Sequence, residues 1–135
     1  MNGRFLLDTS VVIDLLGERR ETVAALEALP HLLLSGVAMG ELFYGALRSP
    51  NPARSVVRVR AFAERRHFLL IDGTTGLHYA HIKNYLREQG TPIPDNDMWI
   101  AALAIQHDVG LLTSDNHFTR VPGLRVTNPR LAAPD

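Results

Sequence analysis

The chain has 135 residues, of which 46% are hydrophobic and 21% charged, and its 14 basic and 14 acidic residues balance at neutral pH. This composition is typical of one globular domain and excludes a disordered, collagen-like or coiled-coil chain. Cysteine is absent, which excludes disulfides, iron–sulfur clusters and thiolate zinc sites, and the zero net charge argues against a strongly basic nucleic-acid coat protein.

Short apolar runs alternate with segments of helical spacing, and Gly, Pro and Ser mark the breaks between them. In chain order, the pattern predicts strand 5–7, helices 10–16 and 21–29, strand 31–35, helices 37–47 and 53–67, strand 68–71, helices 74–88 and 96–107, and strands 111–113 and 124–126. No hairpin signal joins the strands. We therefore predict a single α/β domain over residues 1–135, with a small parallel sheet flanked by helices.

The first residues carry no signal for export or membrane insertion. No segment approaches the roughly 20 apolar residues that a membrane-spanning helix requires. The apolar run at the start of the chain is interrupted by Asp8, which is too early for a signal peptide. We expect the mature protein to begin near Met1, to have no membrane partner and to remain in the cytoplasm.

Acidic residues stand at the ends of predicted strands and at the starts of predicted helices. Asp8 and Asp115 follow the strands 5–7 and 111–113, Asp97 opens the helix 96–107, and Glu41 lies in the helix 37–47. In a parallel sheet, strand ends and the helix starts that follow share one edge, so Asp8, Asp97 and Asp115 converge by topology. Clustered carboxylates repel one another unless a cation lies between them, and oxygen ligands suit Mg²⁺ or Mn²⁺.

Each acid also has a purely structural interpretation. Asp8 could cap the first helix, Glu41 could lie on a solvated helix face, and Asp97 could complement a helix dipole. Asp115 could be a turn residue. For Asp95, which has the same ambiguity, we favour the helix cap.

Four stretches of the chain carry a family resemblance. They cover residues 6–16, 35–45, 93–102 and 111–124 and read LLDTSVVIDLL, SGVAMGELFYG, IPDNDMWIAA and LLTSDNHFTRVPGL. With these stretches in this order, the chain resembles the PIN-domain ribonucleases, and closely the VapC-type toxins of bacterial toxin–antitoxin pairs.

The resemblance implies a set of site residues. Ser10 and Thr113 match hydroxyl positions near the metal site. Where relatives often carry a basic residue before the last acid, this chain has Ser114, which leaves the ligand role of that acid open. The implied catalytic and metal-binding residues are Asp8, Glu41, Asp97 and Asp115.

The resemblance also implies a function. The protein would be an Mg²⁺- or Mn²⁺-dependent endoribonuclease that hydrolyses RNA phosphodiester bonds with an activated water. It would act as the toxin of a toxin–antitoxin pair, form a homodimer, and be blocked by an antitoxin encoded beside it.

Two other functions remain as alternatives. A magnesium-dependent phosphatase of the haloacid-dehalogenase type also has an acid after its first strand, but it needs a second Asp two residues on, where this chain has Ser10. A non-catalytic partner-binding module on the same fold is the other alternative, and the intact acid set argues against it.

Several basic and aromatic residues are further candidates for the site. Helical spacing would place Arg54, Arg58 and Arg65 on one face, which is either a solvated surface or a track for RNA phosphates. The remaining candidates each have a structural interpretation that we favour: surface and packing for His78 and His81, a turn for His117, and packing for Trp99.

Overall fold

Five parallel strands form one sheet in the computed structural model, which describes residues 3–131. Met1, where we expect the mature chain to begin, lies outside the described residues. The strands are β1 Arg4–Leu7, β2 His31–Ser35, β3 His67–Leu69, β4 Gly110–Leu112 and β5 Val126–Thr127. Their order is β3-β2-β1-β4-β5, and all pairs are parallel. The prediction of a small parallel α/β sheet is confirmed.

The connections leave a crevice at one point of the sheet. From β1 the chain moves to β2 and β3 on one side, and it then crosses to β4 on the other side of β1. Open parallel sheets bind ligands where the direction of the connections reverses, at the carboxyl ends of the strands. In this protein that point lies between the ends of β1 and β4.

In the described part of the chain, six α-helices and one short 3₁₀-helix surround the sheet. The helices are α1 Thr9–Leu16, α2 Arg20–Glu27, α3 Gly36–Leu47, α4 Pro52–Ala63, α5 Gly73–Gln89 and α6 Asp95–Gln106, and the 3₁₀-helix is Asn116–Arg120. None of the helices formed by residues 3–131 combines the length and the hydrophobicity that crossing a bilayer requires.

Alternate side chains of the central strands supply two hydrophobic cores. Leu6 and Leu111 face the core beneath α5 and α6, whereas Leu7 and Leu112 face the core beneath α1, α3 and α4. All four side chains are buried. Because successive residues of a strand point to opposite faces, short apolar runs without polar alternation are what a sheet covered on both sides requires.

Glycine is required by the local geometry at two positions that shape β4 and α5. A Cβ at Gly110, the first residue of β4, would lie 2.8 Å from the ring of Phe5 on the neighbouring strand. Gly90 ends α5 in the left-handed conformation, with φ of 69°, and its amide bonds back to the last turn. The first glycine lets β4 approach β1, and the second stops α5 where the sequence predicts.

Two sequence predictions about local structure are wrong in detail. α4 ends at Ala63 rather than at His67, because His67 already pairs with Leu33 as the first residue of β3. The cap of α6 is Pro94, so Asp95 is not the cap. Instead, the Asp95 carboxylate accepts hydrogen bonds from the Tyr79 hydroxyl at 3.1 Å and from Lys83 Nζ at 3.4 Å.

One buried ion pair ties the end of the described chain to α1. The Asp14 carboxylate, 5% exposed, receives two bonds of 2.8 Å from the Arg130 guanidinium and one of 2.9 Å from the Thr22 hydroxyl. These donors lower the pKa of Asp14, with the hydrogen bond from Arg130 as the main cause. No local sequence pattern indicates the role of Asp14, because its partner Arg130 is 116 positions away.

Candidate metal centre

Asp8 is held by two hydroxyl groups at the end of β1. It occupies the N-cap position of α1, but its carboxylate makes no capping bond to the helix. Asp8 Oδ2 instead accepts hydrogen bonds from Thr113 Oγ1 at 2.7 Å and from Ser10 Oγ at 3.0 Å. Thr113 follows β4, so these bonds span the crevice between the two strands. The hydroxyl groups of Ser10 and Thr113 thus lie beside Asp8, as the resemblance implies.

Glu41 reaches the same edge from α3. The Ser35 hydroxyl, at the end of β2, caps that helix by accepting a bond of 3.1 Å from the Ala38 amide. Glu41 lies in the second turn, is half-buried, and accepts a hydrogen bond of 2.8 Å from Thr9 Oγ1. It also lines an open cleft of about 670 Å³ with Gly36, Gly40, Tyr44 and others.

Asp97 is the most perturbed acid among the described residues. It lies in the first turn of α6, and only 13% of its side chain is exposed. Its pKa is raised to about 6, mainly by burial, and the negative charges of Asp8, Asp115 and Glu41 contribute to this rise. A hydrogen bond to His117 opposes the rise. Asp97 is therefore a buried carboxylate that three other carboxylates surround.

Asp115 and His117 close the site after β4. Asp115 caps the 3₁₀-helix, and its Oδ1 accepts a bond of 2.9 Å from the His117 amide. The His117 ring folds back, so that Nδ1 lies 3.1 Å from Asp115 Oδ1 and 3.3 Å from Asp97 Oδ2. The turn interpretation of Asp115 and His117 describes their backbone correctly, but it misses the contacts of the imidazole.

The arrangement places several cation ligands within reach of one position. Oxygen atoms of Asp97 and Asp115 and a nitrogen of His117 all lie within 4.8 Å of one another, and within residues 3–131 no other group of three such residues does so. Carboxylate oxygens are the donors that Mg²⁺ and Mn²⁺ take in proteins. The donor set therefore fits a divalent cation. A cation bound there would relieve the repulsion between Asp97 and the neighbouring acids, which contributes to the raised pKa of Asp97.

Other predicted residues do not join this cluster. Arg65 lies beyond the end of α4 and lines a cleft beside the amino ends of β1, β2 and β3, so the three arginines do not share one helix face. The Arg58 guanidinium donates to the carbonyl of Leu16. An RNA contact by Arg54, Arg58 or Arg65 stays a prediction without that geometric support.

His78, His81 and Trp99 also lie outside the cluster. No third ligand joins His78 and His81 among the residues that the structure describes. The Trp99 ring stacks on Tyr79, with centroids 3.9 Å apart and planes 11° from parallel. This stacking agrees with the packing interpretation of Trp99.

Comparison with known proteins identifies relatives of this chain. The family model described as the PIN domain matches residues 5–124. Ribonuclease VapC1 of Haemophilus influenzae is 32% identical over 126 residues, which covers 90% of this chain and 94% of the relative. The tRNA(fMet)-specific endonuclease VapC of Salmonella typhimurium is 29% identical and covers 91% and 96%. The VapBC-1 structure from nontypeable Haemophilus influenzae has a TM-score of 0.82 at 31% identity, covering 93% of this chain and 97% of that one.

Proposed function

Because the chain belongs to the PIN-domain family and is similar to VapC ribonucleases, we propose that it is a divalent-metal-dependent endoribonuclease acting as a toxin in the cytoplasm. The observation that carries the proposal is the convergence of three carboxylates, those of Asp8, Glu41 and Asp115, on Asp97 at the carboxyl edge of the sheet. These acids would hold Mg²⁺ or Mn²⁺, and the reaction would be hydrolysis of an RNA phosphodiester bond.

The side chains divide the work of holding the cation. Asp97 would contribute oxygens from the first turn of α6, and Asp115 from the loop after β4. Asp8 is kept in one orientation by Ser10 and Thr113, and Glu41 is kept in place by Thr9. Such hydrogen bonds fix a ligand before the cation arrives, which is how supporting residues commonly raise metal affinity.

A bound divalent cation supplies two effects in this chemistry, activation of a water and neutralisation of charge on the phosphate. The chain's own contribution is position. Partial burial of Asp97 keeps bulk water from screening the site, and the Thr113 hydroxyl bonds to Asp8 while accepting the amide of Asp115 at 3.0 Å. Thr113 thus connects the loop after β4 to the end of β1.

The cleft beside Glu41 offers a path for the RNA strand. Gly36 and Gly40 leave its floor open, since no heavy atom lies within 4 Å of where a Cβ would stand at either position. Tyr44, 64% exposed, presents a ring on which a base could stack. We propose that single-stranded RNA enters here, with the scissile phosphate next to the carboxylates.

The central experiment compares two neighbouring aspartates. Asp97→Asn keeps the side-chain shape and removes the charge, so RNA cleavage in Mg²⁺ or Mn²⁺ should fall at least about 1,000-fold, as for loss of one major transition-state interaction. Asp95→Asn is the matched control, since the Asp95 side chain is 64% exposed and contacts Lys83. Chelator should abolish cleavage by the unaltered protein.

Cleavage is measured on a panel of structured and unstructured RNAs. The panel includes tRNA(fMet), because one relative is named as specific for it. Near-normal cleavage by folded Asp97→Asn protein, or cleavage that chelator does not affect, would contradict the proposed site. Hydrolysis of a phosphomonoester with no cleavage of RNA would favour the phosphatase alternative.

The partner proposal follows from the solved relatives, which include VapBC complexes described as toxin–antitoxin systems. We propose that a small antitoxin blocks this site and that the protein is a homodimer. Expression of the chain alone should arrest bacterial growth, and co-expression of the antitoxin encoded beside it should restore growth. Normal growth despite soluble, RNA-cleaving protein would contradict the toxin role, and a monomer in sedimentation would contradict the dimer.

A further inference from the structure

His117 is fixed in place by its neighbours on both sides. Asp115 accepts the His117 amide at 2.9 Å, and the next side chain, Phe118, is fully buried in the core beneath α6. The 3₁₀-helix that carries the imidazole is therefore anchored at its cap and by its core residue. The ring itself remains partly open, with 41% of the side chain exposed.

The imidazole nitrogen lies where a third cation ligand would stand. In an octahedral site with ligand bonds of about 2.1 Å, two adjacent ligand atoms are about 3.0 Å apart. His117 Nδ1 lies 3.1 Å from Asp115 Oδ1 and 3.3 Å from Asp97 Oδ2, which are close to that edge length. Oxygens of Asp97 and Asp115 lie within 4.8 Å of each other, so an ion bound between the three residues would only have to draw their ligand atoms together.

We propose that His117 is a nitrogen ligand of the divalent cation, through Nδ1, and that it makes the site prefer Mn²⁺ over Mg²⁺. The inference rests on the proposed function, because it deepens the assignment of the same metal site. Imidazole suits transition metals, whereas Mg²⁺ takes oxygen ligands almost exclusively. A ligand role requires the ring proton on Nε2, away from the cation.

A second role for His117 makes a different prediction. If the ring only donates a hydrogen bond to the two carboxylates, it is a positioning residue and the cation has oxygen ligands alone. Asn separates the two roles, because its amide can place a donor near the position of Nδ1 but offers no imidazole nitrogen. His117→Asn would then retain function in the positioning case and lose the nitrogen ligand in the other.

The experiment uses Mn²⁺ itself as the probe, on tag-free protein. Pulsed electron paramagnetic resonance of the Mn²⁺-loaded protein should show coupling to a directly bonded ¹⁴N nucleus. His117→Asn should lose that coupling, and His81→Asn, which alters an exposed histidine of α5, should keep it. Calorimetry should show Mn²⁺ affinity falling at least about tenfold in His117→Asn, since even supporting residues around a metal contribute that much, with a smaller loss for Mg²⁺.

The outcomes distinguish this inference from the proposed function. Bound Mn²⁺ that needs Asp97 but has no ¹⁴N coupling would overturn the His117 assignment and leave the nuclease site standing. A coupling that survives His117→Asn would overturn it equally. Failure of the unaltered protein to bind Mn²⁺ at all would overturn both. Absence of ¹⁴N coupling in the Mn²⁺-loaded unaltered protein overturns the assignment even if a variant fails to fold.

Discussion

Two aspartates of this protein are nearly equally buried, and their surroundings differ completely. Counted over the whole residue, Asp14 is 5% exposed and Asp97 is 9% exposed. Asp14 receives a guanidinium fork and a hydroxyl, which lower its pKa. Asp97 has a single imidazole contact at 3.3 Å and three acidic neighbours, and its pKa is raised to about 6. Within residues 3–131, the fold therefore pairs one buried carboxylate with a guanidinium and places no lysine or arginine in an ion pair with the other.

Under the proposed function, the difference separates a structural carboxylate, Asp14, from a functional one, Asp97. Burying a charge costs several kcal/mol unless partners compensate it, so natural proteins normally pair such groups. A carboxylate left in excess negative charge lowers stability, and functional sites commonly carry a cost of this kind. Under the proposed function, the missing partner of Asp97 is the divalent cation.

The largest change in stability is expected when the partner of Asp14 is removed. Arg130→Gln leaves the buried Asp14 carboxylate without its guanidinium fork, and the free energy of unfolding should fall by about 2–3 kcal/mol, less than for a fully buried pair because 38% of the Arg130 side chain is exposed. Arg125→Gln is the matched control, since its pair with Asp108 is exposed and should contribute less than about 1 kcal/mol. Denaturant unfolding measures both. Equal losses in the two variants would show that the Asp14 pair is no more important than a surface pair.

Neutralising Asp97 should change the free energy of unfolding by a smaller amount and in the opposite direction. In chelator, Asp97→Asn should raise the free energy of unfolding by about 1–2 kcal/mol, because it removes a buried charge and its repulsion by three acids. Asp95→Asn should not raise it, since Asp95 is paired with Lys83. If Asp97 served only to complement the dipole of α6, its amide would instead be less stable than the unaltered protein.

A still smaller effect should appear on changing the pH of the metal-free protein. The pKa of Asp97 is about 6 in the folded protein and 3.8 as its usual value, so the folded state binds the proton more tightly. Stability should therefore rise as the pH falls from about 7 toward about 5, by about 1 kcal/mol from this group. Comparison of melting curves for Asp97→Asn and unaltered protein isolates the contribution. A pH response that is the same in both would show that Asp97 is not the group responsible.

Most of the strands and helices could be predicted because their signals are local. The apolar run 31–35 became β2 with the predicted bounds, and Gly90 stopped α5 one residue after the predicted end. α4 was predicted four residues too long, because helical spacing continues to His67 and the pairing of that residue with β2 is a tertiary contact. Local pattern could not anticipate it.

In the candidate site, too, the features with a local or topological signal could be predicted, and those that depend on tertiary contacts could not. Topology alone indicates that acids at strand ends approach one another, and Asp97, Asp115 and their neighbours are found at one edge of the sheet. The contact of His117 with two carboxylates depends on how a 3₁₀-helix directs one ring. Only the spacing of His117 two residues after Asp115 hinted at it. The Asp14–Arg130 pair, which joins distant segments, had no local signal.

The most direct test of the shared cation is the effect of Mn²⁺ on thermal unfolding. A ligand that binds only the folded state stabilises it, by about 2.7 kcal/mol at 100 times its dissociation constant. Starting from chelator-treated protein, Mn²⁺ should raise the melting temperature of the unaltered protein and of Asp95→Asn by several degrees, and it should do much less for Asp97→Asn. An equal rise in all three proteins, or no rise in any, would contradict the claim that these carboxylates share an ion.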